Sequence, residues 1–196
     1  MTDFSNEHTL RQIFIDGRTH YHWQSKGVSD ELLVNIYDLM KFGSTSANCC
    51  PLRIIFVKSQ EAKEKLTPCL AAGNIEKTIT APVTAIFGHD MEFYKKLPKL
   101  FPPVDAQAWF VGNNDLIYAT AFRNAVLQAA YFMMAARGLG LDCGPLSGFD
   151  HQKIDDTFFR GTSIRSNFLC NLGYGQTEKL LPRLPKLDFD EACSIL

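Results

Sequence analysis

The segment from Asp115 to Arg137 constrains this chain more than any other. Between Ala125 and Ala136 it is apolar almost all round, interrupted only by Gln128. A helix without a polar face has to be buried on every side, either at the centre of a domain or between two subunits. The chain has 196 residues, which suits one compact domain over 1–196 with a sizeable core. A homodimer built on this helix is the expectation.

The remaining periodicity is weaker but readable. Ser29 is placed to cap a helix whose first turn carries Asp30 and Glu31, and Leu32, Leu33, Ile36, Leu39 and Met40 form its apolar face before Gly43 ends it. Residues 53–58, 82–87 and 167–174 read as strands; 10–15, 60–66 and 75–80 read as short helices. Strands separated by helices of unequal length, with no regular βαβ repeat, predict an α+β fold. From 91 to 114 the pattern fails, with Phe93, Tyr94, Phe101, Trp109 and Phe110 scattered among Pro98, Pro102 and Pro103. Such a segment is an active-site cover, a dimer contact or a layer over the protein's own core.

Twenty basic residues against 21 acidic ones leave a net charge of −1. With no long run of either sign, neither a nucleic-acid surface nor a membrane patch is expected, and the partner is a small molecule. The six cysteines form no CxxC pair and mostly sit in apolar segments. Together with a polar start lacking an apolar run, they predict reduced thiols and a cytoplasmic, unexported protein. Several motifs lead nowhere. Gly138-Leu139-Gly140-Leu141-Asp142-Cys143-Gly144 follows a helix instead of a strand and spaces its last glycine one residue late for a dinucleotide fingerprint. Gly138 reads instead as the left-handed residue that ends the long helix. His20-Tyr21-His22 lacks further ligands at an interpretable spacing, so no metal site is expected. Ser147 is one place off a nucleophile elbow, and the Cys49-Cys50 pair reads as core more readily than as redox chemistry.

Two segments of small residues remain, Gly43-Ser44-Thr45-Ser46-Ala47-Asn48 and Gly144-Pro145-Leu146-Ser147-Gly148-Phe149-Asp150. Each leaves backbone donors and acceptors uncovered, as a flat heterocycle such as a flavin requires; taken singly, each is equally an ordinary turn. A flavin mononucleotide also needs cations for its phosphate, for which Arg18 and Arg183 are candidates from opposite ends of the chain. Asn74 and Lys77, three apart on a short helix, could face the ring edge together, with Lys77 favouring negative charge there. Surface solvation is the alternative for all four.

Arg18-Thr19-His20, Lys41 to Cys49, Gly73-Asn74-Ile75-Glu76-Lys77-Thr78, Glu92 to Pro102, Thr120-Ala121-Phe122-Arg123-Asn124, Gly144 to Asp150, Asn171-Leu172-Gly173-Tyr174-Gly175 and Arg183-Leu184-Pro185 follow one another in an order and spacing that resembles the nitroreductase family. The resemblance is closest to its branch of malonic semialdehyde reductases from pyrimidine catabolism and covers nearly the whole chain. It implies an FMN-binding α+β domain with a central, mostly antiparallel sheet flanked by helices in an intertwined homodimer. It further implies Arg18, His20 and Arg183 at the phosphate, Ser46 and Asn48 beside the flavin, Asn74 and Lys77 at its pyrimidine edge, and Pro145, Ser147 and Gly148 over one face. The activity implied is ping-pong hydride transfer from NADH or NADPH to malonic semialdehyde, a small aldehyde, giving 3-hydroxypropanoate. A broad nitro, quinone or enone reductase and a flavin-binding protein with incidental redox activity are the alternatives. Two departures set the chain apart from general nitroreductases: Tyr21 and His22 stand where a second basic residue is usual, and Ser147 where an acidic one is frequent. For an anionic substrate Arg123, which breaks an otherwise apolar helix entry, is the candidate cation, an interface ion pair being its other reading.

Overall fold

The computed structural model describes residues 7–196; the polar start from Met1 to Asn6 lies outside them. In chain order its elements are α1 (Glu7–Leu10), α2 (Asp30–Met40), β1 (Leu52–Val57), α3 (Gln60–Leu66), α4 (Ala72–Ile79), β2 (Val83–Asp90), α5 (Leu97–Leu100), α6 (Asn114–Gly138), β3 (Asp142–Leu146), α7 (His151–Phe158), β4 (Ile164–Gly173) and α8 (Phe189–Ala192). The four strands form one sheet in the order β1-β2-β4-β3, with every pairing antiparallel. The α+β expectation holds.

Alternation along the strands divides the core into two layers. Val83, Ala85 and Phe87 of β2 point to α2 and α6, where they meet Leu33, Ile36, Met40, Ala125, Ala129, Phe132 and Ala136. Ile86 and Leu169 point the other way, to Leu66 of α3 and Ile154 of α7. At the start of α2 Ser29 Oγ accepts from the Leu32 N–H at 3.2 Å, as the capping pattern predicts. Leu39, placed on the core face by its spacing, is instead exposed beside Val34 and Tyr37.

Two sequence expectations need correction. β3 was unforeseen because Gly144 and Pro145 read as loop; Pro145 is tolerated because β3 is an edge strand, paired only to β4 along its length. Gly138 is the last helical residue of α6, not its terminator. The left-handed position is Gly140 (φ +83°), which donates to the Arg137 carbonyl while Leu141 donates to that of Ala136, the paired bonds of a Schellman cap. Within one protomer, α6 has Ala125, Ala129 and Phe132 enclosed, whereas Leu116, Tyr118, Phe122, Val126 and Leu127 remain exposed.

The aperiodic stretch is a layer over the protein's own core. Phe93, Leu97, Ala106 and Phe110 are buried against Cys49, Ile117 and Ala121, leaving Trp109 and Val111 outside.

Candidate active site

The chain's two ends meet at the arginines. Arg18 donates through Nη2 to the Leu181 carbonyl at 2.6 Å, and Arg183 donates through Nη2 to the carbonyl of Ile15. From Arg18 the chain runs along β3, where Thr19 bridges Cys143 and the His20 N–H donates to the Cys143 carbonyl. It then reaches α4: the Trp23 indole donates to the Lys77 carbonyl at 2.9 Å, and the Lys77 ammonium stands 4.8 Å from the centroid of the Tyr21 ring. One turn earlier on α4, Asn74 Nδ2 donates to the Gly148 carbonyl at 2.7 Å. The Ala71 N–H donates to the same carbonyl, so the loop leaving β3 is tied to the start of α4. A Cβ at Gly148 would stand 2.4 Å from Asn74 Nδ2, so any other residue there would push the Asn74 amide aside.

Short stretches of backbone and these bonds thus tie the Arg18 and Arg183 segments, Tyr21, Lys77, Asn74 and Gly148 together, with cations at one end and small residues and amide groups at the other. Burial pushes the pKa of the Lys77 ammonium below its ordinary value, so its charge is only partly screened by water. Pro145 lies in β3, and Ser147 is exposed in the loop beyond it. His20 is enclosed beside these residues. Its ring is 3% exposed, with Nε2 3.4 Å from Asp142 Oδ1, and it packs against Trp23. Burial lowers its pKa against the opposing pull of Asp142. A ring so enclosed supports the Arg18 segment from beneath instead of presenting a free cation.

Ser46 and Asn48 are not brought to this surface. They precede β1, the strand at the opposite sheet edge from β3 and three positions from it. The Ser46 N–H donates to Asn124 Oδ1 of α6 at 2.9 Å, and Asn48 Nδ2 donates to the Leu100 carbonyl at 2.9 Å. Ala47, Asn48 and Cys50 have φ of 48°, 50° and 40°. Such conformations cost of order 1–3 kcal/mol each and concentrate at ligand clamps, so this second segment is also a built feature. Burial and the neighbouring Cys50 push the Cys49 thiol up to about 11, which leaves it protonated and inert at neutral pH. Arg123 is exposed on α6 and makes no ion pair among the described residues.

With this geometry in view, the sequence matches the family model described as "Nitroreductase family" over residues 17–174. The chain belongs to the nitroreductase family. A relative from Polynucleobacter asymbioticus, provisionally named NADH dehydrogenase/NAD(P)H nitroreductase, is 55% identical over the full length of both chains, 196 residues. Among solved structures, the provisionally described nitroreductase YdfN of Bacillus subtilis superposes with a TM-score of 0.88 at 19% identity, covering 95% of this chain and 98% of that one. A provisionally described nitroreductase from Exiguobacterium sibiricum, solved in complex with FMN, gives 0.82 at 16% identity, covering 100% and 98%. These likenesses establish the nitroreductase fold.

Within this nitroreductase-family chain, sequence reasoning missed four residues that hold the surface together: Tyr21, Trp23, Asp142 and Asn171. Tyr21 was legible only as part of His20-Tyr21-His22, a pattern that directs attention to metals. Asp142 Oδ2 accepts from the Gly175 N–H at 2.8 Å while Oδ1 faces His20, a junction of three distant segments that no local pattern announces.

Proposed function

We propose that this nitroreductase-family chain is an FMN-dependent NAD(P)H oxidoreductase that reduces malonic semialdehyde to 3-hydroxypropanoate. The observation that carries the reading is the set of ties joining the two arginine segments, the Tyr21–Trp23 stretch, Lys77, Asn74 and Gly148. Its donor chemistry fits FMN: guanidinium groups for a phosphate at one end, and at the other an ammonium, an amide and a glycine loop packed closely on that amide. When bound, FMN takes a hydride from NADH or NADPH and yields it to an acceptor. The net change is aldehyde plus NAD(P)H plus a proton to alcohol plus NAD(P)⁺.

In this reading Arg18 and Arg183 bind the phosphate and His20, held by Asp142, supports them. Lys77 keeps a positive charge at the pyrimidine edge, Asn74 fixes the loop, and Pro145, Ser147 and Gly148 cover one ring face. Ser46 and Asn48 complete the site from a second copy of the chain, which explains why they lie at the far sheet edge. The exposed face of α6 supports such a homodimer. So does the extended tail, whose Leu181, Leu184, Leu187 and Phe189 are all exposed. A groove of about 960 Å³ along β1 and α2, lined by Tyr37, Leu52 and Phe56, is of a kind that could receive such a tail. Arg123 is assigned to the substrate carboxylate. All six cysteines are free, in keeping with a cytoplasmic location.

The specific aldehyde rests on the ordered motif series, and a broad nitroaromatic or quinone reductase is the second reading, favoured by the name of the 55% identical relative. Initial rates of NAD(P)H oxidation by FMN-loaded protein decide between them. The expected result is a higher kcat/KM for malonic semialdehyde than for a nitrofuran or menadione. Oxidation no faster with the aldehyde than without it overturns the substrate assignment.

A further inference from the structure

The carbonyl of Lys77 lies in the last turn of α4, where no later helical N–H reaches it. It is nevertheless doubly bonded: the Trp23 indole donates to it at 2.9 Å and Asn171 Nδ2 at 3.2 Å. Asn171 is wholly buried in β4 and spends its side chain on this junction. Its amide also reaches Thr78 Oγ1 at 3.2 Å, and its Oδ1 accepts from Thr84 Oγ1 of β2, directly opposite in the sheet, at 2.7 Å. Both amide protons and the carbonyl oxygen are therefore engaged. A polar cluster placed between a helix and two central strands is costly unless every member is satisfied, and once satisfied it is rigid. Its bonds converge on one residue whose side chain points outward to the Tyr21 ring.

We propose that Asn171, seated by Thr84, is a positioning residue that fixes Lys77 through its main-chain carbonyl at the place from which its ammonium serves the flavin. The inference rests on the reading of Lys77 under Proposed function. A lysine stem alone is flexible; anchoring its Cα to the sheet and its head over Tyr21 reduces the freedom lost when the charge is needed. Trp23 shares the carbonyl but also fills core space, whereas Asn171 and Thr84 act chiefly through their hydrogen bonds.

The test is the midpoint potential of bound FMN in reconstituted protein carrying Asn171→Ala, Thr84→Val, Lys77→Met and the Asn171→Ala/Lys77→Met pair, with thermal melting recorded beside it. Asn171→Ala is expected to disfavour flavin reduction about tenfold, in the direction of Lys77→Met, and to add nothing in the Lys77→Met background. Thr84→Val, which preserves shape and removes one anchor of Asn171, is expected to shift the potential the same way by a smaller factor, and serves if Asn171→Ala does not fold. Lower melting temperatures with an unshifted potential, while Lys77→Met does shift it, overturn the positioning role alone. An unshifted potential in Lys77→Met overturns the assignment of Lys77 and this inference with it.

Discussion

Lys77 and Gly148 are the residues at which the proposed site can be tested atom by atom. Lys77→Met keeps the stem and removes the charge, so FMN should remain bound through Arg18 and Arg183 while the hydride step from NAD(P)H slows by ~10²-fold and the flavin potential falls. Stopped-flow reduction and a potentiometric titration measure both. Arg183→Ala should do the reverse, weakening flavin retention in equilibrium dialysis with little change in potential. Gly148→Ala drives a methyl into Asn74 Nδ2 and should loosen the bond that ties the β3 loop to α4. The expected outcome is a rise in the FMN dissociation constant of about tenfold, corresponding to ~1.4 kcal/mol. An unchanged constant would show that the loop yields without disturbing the site.

At the scale of elements, α6 carries two functions on two faces. Ala129 is fully enclosed in the chain's own core, so Ala129→Glu buries an unpaired carboxylate and should prevent folding altogether. Val126, about one turn earlier, is 37% exposed at the edge of the enclosed face. Val126→Glu should therefore leave the protomer folded, with native far-ultraviolet dichroism, yet yield a monomer in light scattering that no longer retains FMN. A folded Val126→Glu dimer that stays yellow would sink the shared-site reading. The all-round apolar composition of α6 was readable from sequence, but which side faces the sheet depends on the register of β2 and β4 beneath it. Likewise, β3 escaped notice because Gly and Pro argue against a strand locally, and only pairing to β4 overrides them.

The whole molecule carries a buried polar liability that sets its acid limit. His89 is 3% exposed between Tyr118 and Phe122, and neither ring nitrogen has a partner among the described residues. Burial lowers its pKa below 6.5, helped by Arg165 and His151 and opposed by Asp155. Between that lowered value and 6.5 the unfolded chain binds more protons than the folded one, so stability rises with pH through this window and is lost as pH falls through it. His20, whose pKa is lowered chiefly by burial, acts in the same direction. His89→Leu should raise the melting temperature at pH 5.5 more than at pH 7.5, flattening the acid limb seen by scanning calorimetry. An equal gain at both values would mean that the ring contributes by packing alone.

Local chemistry determined much of this chain before any fold was drawn. Ser29 caps α2, the apolar length of α6 demands enclosure, and Asn74 and Lys77 share a helix, because each depends on residues within two turns of one another. Tertiary structure alone decided the rest. It joined Arg18 to the tail that carries Arg183, set His20 on Asp142 beneath the surface, tied Lys77 to Asn171 across 94 residues, and sent Ser46 and Asn48 to the other sheet edge. Those outcomes depend on strand order and on which edge each loop leaves. Such relations are fixed by hydrogen-bond pairing and burial between segments far apart in sequence, and no local pattern encodes them.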